Sequence, residues 1–148
     1  MSRNRFSAYL AVCIAIFSFH VIADYPPKET IQDGKTFEGR LKVATGFWRW
    51  VGSNEKLQFL DGKMIWDSGE GSGYQPGKYT IEQLDGGRIA FNAKVVGMDG
   101  DTMVWHGYYD GKKLTKVKAV WTREQENFFY DLILPKKIHW IFTQNKDQ

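Results

Sequence analysis

Cysteine is the residue that this chain most nearly lacks: the 148 residues include a single one, Cys13. A lone thiol excludes a framework of internal disulfides. Histidine occurs three times, and the two copies beyond the N-terminal segment, His106 and His139, stand far from each other and from any cysteine. The residues therefore predict no metal site and no resident cofactor, and thiol chemistry is excluded as well if the N-terminal segment that contains Cys13 is removed.

The N-terminal segment differs from the rest of the chain in hydropathy. Two arginines precede an apolar run at residues 8–19, which is followed by Val21 and Ala23 in a small-x-small arrangement. A basic start, an apolar core of about 7 to 15 residues and a small-residue exit are typical of secretory signals. We therefore predict a signal peptide at residues 1–23, cleaved after Ala23, and an exported protein that is periplasmic or secreted.

Two alternatives to a cleaved signal remain for this segment. An uncleaved anchor helix is disfavoured because the apolar run is shorter than the roughly 20 residues that span a bilayer. Cys13 follows Leu10-Ala11-Val12, which resembles a bacterial lipoprotein signal. Val12 is bulky where that signal usually has a small residue, so cleavage after Ala23 is favoured and the mature chain has no membrane span.

An excess of either charge is also small once the signal is removed, because basic and acidic residues are then almost equal in number. The signal carries two of the 20 Lys and Arg residues and none of the 17 Asp and Glu residues, so the formal net charge falls from +3 to +1. A near-neutral balance gives no electrostatic footprint for nucleic acid or for an anionic membrane. The remaining length suffices for one domain with one core.

Helical periodicity is missing from the mature chain, whereas apolar and polar residues alternate between turn signals. Residues 24–36 read as an extended leader, and Asp-Gly pairs at 61, 85, 99 and 110 separate the alternating runs that follow. Glycine permits the positive φ that tight hairpins need. The pattern predicts an all-β domain at residues 37–148.

The parity of spacing predicts the register of three hairpins, because a slip by one residue turns a strand over. A two-residue turn at Asp61-Gly62 pairs Phe59 with Met64 and Leu57 with Trp66. Three-residue loops then place the next inward residues opposite one another, with Ile81 facing Phe91, Tyr79 facing Ala93, Val95 facing Met103, Ala93 facing Trp105 and Phe91 facing Gly107.

The hairpin around Asp110-Gly111 admits two registers. A two-residue turn would place Trp105 opposite Lys116 and mix the faces. A three-residue loop with a bulge at Gly111 pairs Trp105 with Thr115 and Met103 with Val117, and we prefer it. The same inner face then continues through Ala119, Trp121, Phe128, Tyr130 and Leu132, and a last strand carries Ile138, Trp140 and Phe142.

Eight or nine consecutive hairpin-linked strands with one inner face and no covering helix must close on themselves. We therefore predict a single antiparallel up-and-down barrel, in which closure removes the exposed sheet edges. A barrel of about eight strands is either filled by side chains or holds one small ligand. A β-sandwich is the alternative, because periodicity alone does not separate the two architectures.

The first predicted strand carries Phe37, Leu41 and Val43 on one face and continues into Gly46-Phe47-Trp48-Arg49-Trp50. Here the chain resembles the lipocalins and the wider calycin group, including the avidins, whose first strand bears Gly-x-Trp. The resemblance implies that Gly46 and Trp48 close the barrel floor, with Trp48 packed inside. It also implies a tendency to bind small molecules. The helix that lipocalins place near the C-terminal end and the polar residues with which avidins hold biotin are not evident.

A glycine-rich stretch, residues 67–77, connects two predicted strands. It does not suit phosphate binding, because a strand rather than a helix follows it. It reads either as a simple connection or as a flap over the barrel mouth, and Tyr74 is its candidate binding residue.

Aromatic side chains dominate the predicted inner face. They either fill a solid core or line a cavity, and buried indole N–H and phenol O–H groups need hydrogen-bond partners. The sequence offers few inward partners, chiefly Thr45, Gln83 and Thr115. The candidate ligand-binding residues are Trp48, Trp66, Tyr74, Tyr79, Phe91, Trp105, Trp121, Tyr130 and Trp140.

These observations favour an exported, non-enzymatic protein that binds a small or lipidic molecule in an aromatic-lined barrel. One alternative is a protein-binding or structural module of the cell envelope with a solid core. Another is a small barrel enzyme, which would need an acid or base inside the cavity. A Ser-His-Asp set drawn from Ser68 or Ser72, His139 and Asp131 has no nucleophile elbow to support it.

Overall fold

The protein is a closed β-barrel of eight antiparallel strands in the computed structural model. The structure describes residues 31, 34–44, 46–124 and 132–146. The predicted signal peptide, Phe128, Tyr130 and Asp131 lie outside these residues, so cleavage and export stay predictions. The named elements of the described residues are β1 Lys35–Val43, β2 Gly52–Leu60, β3 Lys63–Trp66, the short helix α1 Asp67–Gly71, β4 Gly77–Leu84, a 3₁₀ turn at Asp85–Gly87, β5 Arg88–Val96, β6 Thr102–Tyr109, β7 Leu114–Thr122 and β8 Lys137–Gln144.

The barrel closes by pairing its first strand with its last. Each strand pairs with the next in sequence, and β1 pairs with β8 through Leu41 opposite Phe142 and Val43 opposite Trp140. This arrangement confirms the predicted up-and-down barrel and excludes the sandwich. The first strand begins at Lys35, just before the predicted barrel start at Phe37.

The three hairpins with short Asp-Gly loops have the predicted registers. Leu57 lies opposite Trp66, Ile81 opposite Phe91, and Val95 opposite Met103. In the first of these turns Asp61 and Gly62 both have positive φ, 49° and 71°, as a two-residue hairpin turn of this kind requires. The parity of the spacing and the residue types in the turns were therefore sufficient, in combination, to predict these pairings.

The predicted register of the β6–β7 hairpin is wrong. Trp105 lies opposite Ala119 rather than Thr115, and Met103 lies opposite Trp121 rather than Val117. The pairing differs by four residues for two reasons: the loop at residues 110–113 shifts it by three, and a bulge within β7, where the register shifts after His106 and Lys116 takes a φ of +50°, adds one more. Beyond the bulge Leu114 points into the core, while Thr115 is half-buried and pairs with the outward-facing Tyr108.

The loop of this hairpin is also longer than the predicted three residues. It spans residues 110–113, and one oxygen of Asp110, Oδ1, accepts hydrogen bonds from the backbone N–H groups of Lys112 and Lys113 at 3.0 and 2.9 Å. The Lys113 amide is the main reason that the pKa of Asp110 lies below its usual range. An aspartate turn of this type holds the loop without the predicted bulge at Gly111.

Most of the barrel interior is a solid apolar core. Phe59 lies at its centre, with ring centroids 5.8 Å from Phe37, 5.1 Å from Tyr79 and 5.3 Å from Phe91, all near perpendicular. Edge-to-face contacts of this kind are favoured by the ring quadrupoles. The ring of Phe91 also occupies the space opposite Gly107, where an added Cβ would lie 2.7 Å from it.

The two ends of the barrel differ. The end that we call the open end carries four connections, residues 44–51, 67–76, 97–101 and 123–136. The tight hairpin turns occupy the opposite end. Leu132, predicted to face inward on a strand, instead has helical backbone and is exposed in the last of the open-end connections.

Candidate functional site

A cavity of about 300 Å³ opens at the open end of the barrel, above the solid core. Three indole rings, those of Trp66, Trp121 and Trp140, form much of its wall. Further apolar surface comes from Leu41, Met103 and Ile138, and the polar lining residues are Ser53, Glu55 and Ser68. The interior is thus filled by side chains below the cavity and hollow at the open end. The two predictions for the interior, a solid core and a ligand cavity, each describe part of the barrel.

Glu55 is the buried polar centre of this cavity, with only 4% of its surface exposed. One carboxylate oxygen, Oε2, accepts a 2.8 Å hydrogen bond from the indole N–H of Trp66 and another from the hydroxyl of Ser68. Its other oxygen accepts from the hydroxyl of Ser53. A buried carboxylate needs such donors, because an unsatisfied buried charge is strongly unfavourable.

Strand alternation places Glu55 inside the barrel. Leu57 and Phe59 of β2 point into the core, and period two carried back along the strand turns Glu55 and then Ser53 to the same side. Sequence reasoning missed this residue, although the alternation that positioned Leu57 also predicts it. Glu55 is the polar group that faces the cavity from its wall, and the pattern of aromatic residues alone did not reveal it.

The glycine-rich connection packs over the cavity edge rather than forming a simple link. Asp67–Gly71 forms the short helix α1, and its buried Gly69 lies so close to Trp66 that an added Cβ would be 2.2 Å from the ring. Glycine at this position lets the helix approach the indole, which brings Ser68 within reach of Glu55.

Tyr74 ties the end of the same connection to the barrel wall. Its ring centroid lies 5.2 Å from that of Trp66, and its hydroxyl accepts a 2.8 Å hydrogen bond from the indole N–H of Trp121. Burial is the main cause that raises the pKa of Tyr74, and the carboxylates of Asp101 and Asp99 raise it further, against the lowering effect of the Trp121 bond. Tyr74 therefore supports the cavity wall from behind.

The remaining wall comes from Trp140 on β8, which pairs with Val43 of β1 and Ala119 of β7. Its ring is half-buried, and its indole N–H is buried without a hydrogen-bond partner among the described residues. The same holds for the N–H of Trp105 in the core. For two of the six tryptophans, the indole N–H thus lacks a hydrogen-bond partner among the described residues, in agreement with the predicted shortage of inward-facing acceptors.

The structure divides the predicted ligand-binding residues into three groups. Trp66, Trp121 and Trp140 come together as cavity walls, and Tyr74 packs against them. Tyr79, Phe91 and Trp105 belong to or pack on the solid core, where Trp105 is fully buried and lies 5.7 Å from Trp66 between ring centroids. Tyr130 lies outside the described residues.

Trp48 is not on the inner face, which corrects the prediction made from the family resemblance. Strand β1 ends at Val43, and Trp48 lies half-buried in the turn that follows, between Phe47 and Trp50. Gly46, with a φ of +88°, serves that turn. The predicted hydrogen-bond partners also change: Gln83 is exposed, Thr115 lies beyond the bulge, and Thr45 is outside the described residues.

A second cleft, of about 430 Å³, lies at the other end between β7 and β8. It exists because strand pairing stops at Val117 opposite Phe142, next to the bulge. Gln144 partly bridges the gap by accepting a 2.7 Å hydrogen bond from the backbone N–H of Leu114. Lys113, Lys116 and Lys146 border the cleft, and Phe142 is the one aromatic residue among its described lining residues. The open-end cavity, which three indoles line, is therefore the better candidate site.

The two histidines point away from the interior, as predicted. His106 contacts the Asn92 side chain at 2.9 Å on the outer surface, and His139 is exposed. Across the part of the chain that the structure describes, no group of three or more His, Cys, Asp and Glu residues is arranged to hold a metal ion. Within the same residues, no helix has the length and hydropathy needed to cross a membrane.

Comparison with known proteins returns no relative for this chain. No protein-family model matches it, and neither the curated proteins nor the solved structures contain a match. The closed eight-stranded antiparallel barrel is consistent with a calycin-like architecture. Functional inference therefore rests on the cavity itself.

Proposed function

We propose that this protein is an exported, non-enzymatic binding protein that holds a small molecule in the open-end cavity of a calycin-like barrel. The observation that carries the proposal is the cavity wall: three indoles surround one buried carboxylate, Glu55. Apolar concave sites with a few convergent polar groups are the usual form of a small-molecule site. The glycine-rich connection and Tyr74 complete the wall.

The cavity volume favours a compact ligand over a long-chain lipid. The cavity of 300 Å³ is at the lower end of the range for ligand sites and equals the liquid volume of about ten waters. A ligand of this size makes few apolar contacts, so apolar contact alone gives it weak affinity. Tighter binding requires a polar interaction, and Glu55 is placed to make it.

A binding role also agrees with how the polar groups are arranged. Glu55 is held by hydrogen bonds from Trp66, Ser53 and Ser68, so its position is fixed before any ligand arrives. A rigid, preorganised site lowers the entropy cost of binding. Export is proposed from the N-terminal pattern of residues 1–23 alone.

Native mass spectrometry of protein purified from its own host tests the proposal directly. We expect a co-purifying small molecule, or binding of the neutral apolar dye N-phenyl-1-naphthylamine to the purified protein. Ile138→Trp places a large ring in the cavity and should abolish both signals. Ile141→Trp is the matched control, because Ile141 lies on the outside of the same strand. Loss of signal in both variants, or in neither, would contradict the proposed site.

A second candidate function, a protein-binding module of the cell envelope, is favoured by the open-end connections. Phe47 and Met98 are 81% and 84% exposed, and Trp50 is 70% exposed. Exposed apolar clusters often mark interaction surfaces. If the dye does not bind and the wild-type protein co-purifies with a protein that Trp50→Ser releases, this second function replaces the first.

A further inference from the structure

We infer that the ligand of the open-end cavity is a compact organic cation that carries a protonated amine, with Glu55 as its counter-ion. The inference rests on the proposed function and names the ligand class of that site. It follows from the charge, the hydrogen bonds and the walls around one carboxylate.

The first step is the charge of the site. Glu55 is buried, and its three donors, Trp66, Ser53 and Ser68, are all neutral groups. None of the described residues that line the cavity is a lysine, arginine or histidine. The neutral donors satisfy acceptor positions on the carboxylate, but none of them carries the opposite charge with which buried charges are usually paired. The cavity therefore presents a buried carboxylate without a cationic partner among its lining residues, and a cationic ligand would supply that partner.

The second step is the number of hydrogen bonds that Glu55 can still accept. A carboxylate has about four acceptor positions on its two oxygens. Among the described residues, Oε2 accepts two hydrogen bonds and Oε1 accepts one. One position on Oε1 is left for a donor from the ligand, and an N–H group of a protonated amine would fill it with a charge-assisted hydrogen bond.

The third step is the chemistry of the walls. Trp66, Trp121 and Trp140 line the same cavity as Glu55. Indole faces attract cations more strongly than other aromatic side chains do, and this attraction strengthens when water is excluded. The same rings bury the apolar part of a small ligand. An ammonium group on an apolar body satisfies both the carboxylate and the indoles, whereas an anionic ligand would be repelled.

Isothermal titration with three benzyl probes at pH 7 tests this inference: benzylammonium, its near-isostere benzyl alcohol, and the bulkier benzyltrimethylammonium. We expect wild-type protein to bind benzylammonium at least about tenfold more tightly than benzyl alcohol, since both can donate to the carboxylate but only the ammonium group also pairs with it as the opposite charge. Benzyltrimethylammonium has the charge but no N–H and should bind more weakly than benzylammonium.

Two charge-matched variants assign the effect to Glu55. Glu55→Gln keeps the shape of the side chain and should bring the affinity ratio of benzylammonium to benzyl alcohol close to one. Glu70→Gln removes an equal charge from the exposed face of α1 at the same barrel end and should keep the wild-type ratio. Circular dichroism and dye binding verify that each variant is folded. The comparison of the three probes on wild-type protein does not depend on the folding of any variant.

The outcomes separate this inference from the proposed function. If the dye binds and benzylammonium shows no preference over benzyl alcohol, the cation inference is overturned and the binding function stands. If benzyltrimethylammonium binds as tightly as benzylammonium, the hydrogen bond to Glu55 does not select the ligand and the inference fails. If the dye and all three probes fail to bind, the proposed function is overturned as well.

Discussion

The indole N–H of Trp121, on strand β7, donates a 2.8 Å hydrogen bond to the hydroxyl of Tyr74, in the connection between β3 and β4. The two residues are 47 positions apart in sequence. Their bond fastens the glycine-rich connection to the opposite wall of the barrel mouth, and Tyr74 also contacts Trp66. The geometry of the cavity thus depends on a polar contact that lies behind its aromatic wall.

Removing the Tyr74 hydroxyl tests this fastening. Tyr74→Phe leaves the indole N–H of Trp121 without its partner, so we expect the free energy of unfolding at pH 7 to fall by about 1 to 2 kcal/mol. Urea unfolding measures the change. Tyr108→Phe, on the outer surface, should change stability by less than about 0.5 kcal/mol. Equal effects of the two substitutions would show that the bond contributes nothing specific.

The same residue makes stability depend on pH in the alkaline range. The pKa of Tyr74 is raised in the folded protein, chiefly by burial. Its protonated form therefore adds stability that is fully present below the unfolded pKa of about 10 and is lost as the pH rises through the folded pKa. As the pH rises above about 10, wild-type stability should therefore fall more steeply than that of Tyr74→Phe. Parallel curves from urea unfolding would contradict this.

Gly107 provides a test of core packing. A Cβ at this position would lie 2.7 Å from Phe91 and 2.8 Å from Val117, both buried. We expect Gly107→Ala to lower the free energy of unfolding by about 1 to 3 kcal/mol, because close-packed cores do not accept extra volume. Gly71→Ala, with no atom within 4 Å of its added Cβ, is the control and should have little effect. Chemical denaturation of both variants measures the difference.

The bulge in β7 provides a backbone test. Lys116 has a φ of +50°, a conformation that costs a non-glycine residue about 1 to 2 kcal/mol. Lys116→Gly relieves this cost and should raise stability by about 0.5 kcal/mol after the entropy lost by glycine. Lys118→Gly, in regular strand, should lower it by about 0.5 to 1 kcal/mol. If both substitutions destabilise equally in thermal unfolding, the bulge conformation is not as described.

Short loops made most of the fold predictable from sequence. Where two or three residues join two strands, turn chemistry and parity leave one register that buries both inner faces, as for Phe59 opposite Met64. The register of the β6–β7 hairpin was predicted wrongly because its loop lies further along the chain than Asp110-Gly111 suggests, and because one extra residue lies inside the strand at Lys116, where no glycine marks it. A bulge there shifts the register while keeping Trp105, Val117 and Ala119 inward.

The candidate site was predictable in part, for reasons that particular residues make clear. Trp66, Trp121 and Trp140 followed from strand parity. Trp48 was placed by family resemblance, although period two from Val43 reaches Phe47 rather than Trp48. Glu55 was missed because a charged residue on an inner face contradicts the apolar pattern, and only contacts across strands reveal the donors that make its burial tolerable.

Barrel closure has a consequence for how the chain assembles. All pairings except β1 with β8 join neighbouring strands, whereas the last brings together residues about a hundred positions apart. Local hairpins form quickly, and a contact over such a distance carries the largest loop entropy. Until that seam forms, both outer strands offer free N–H and C=O groups. The same seam would then join two chains at high concentration, so dilution during refolding should favour the monomeric barrel.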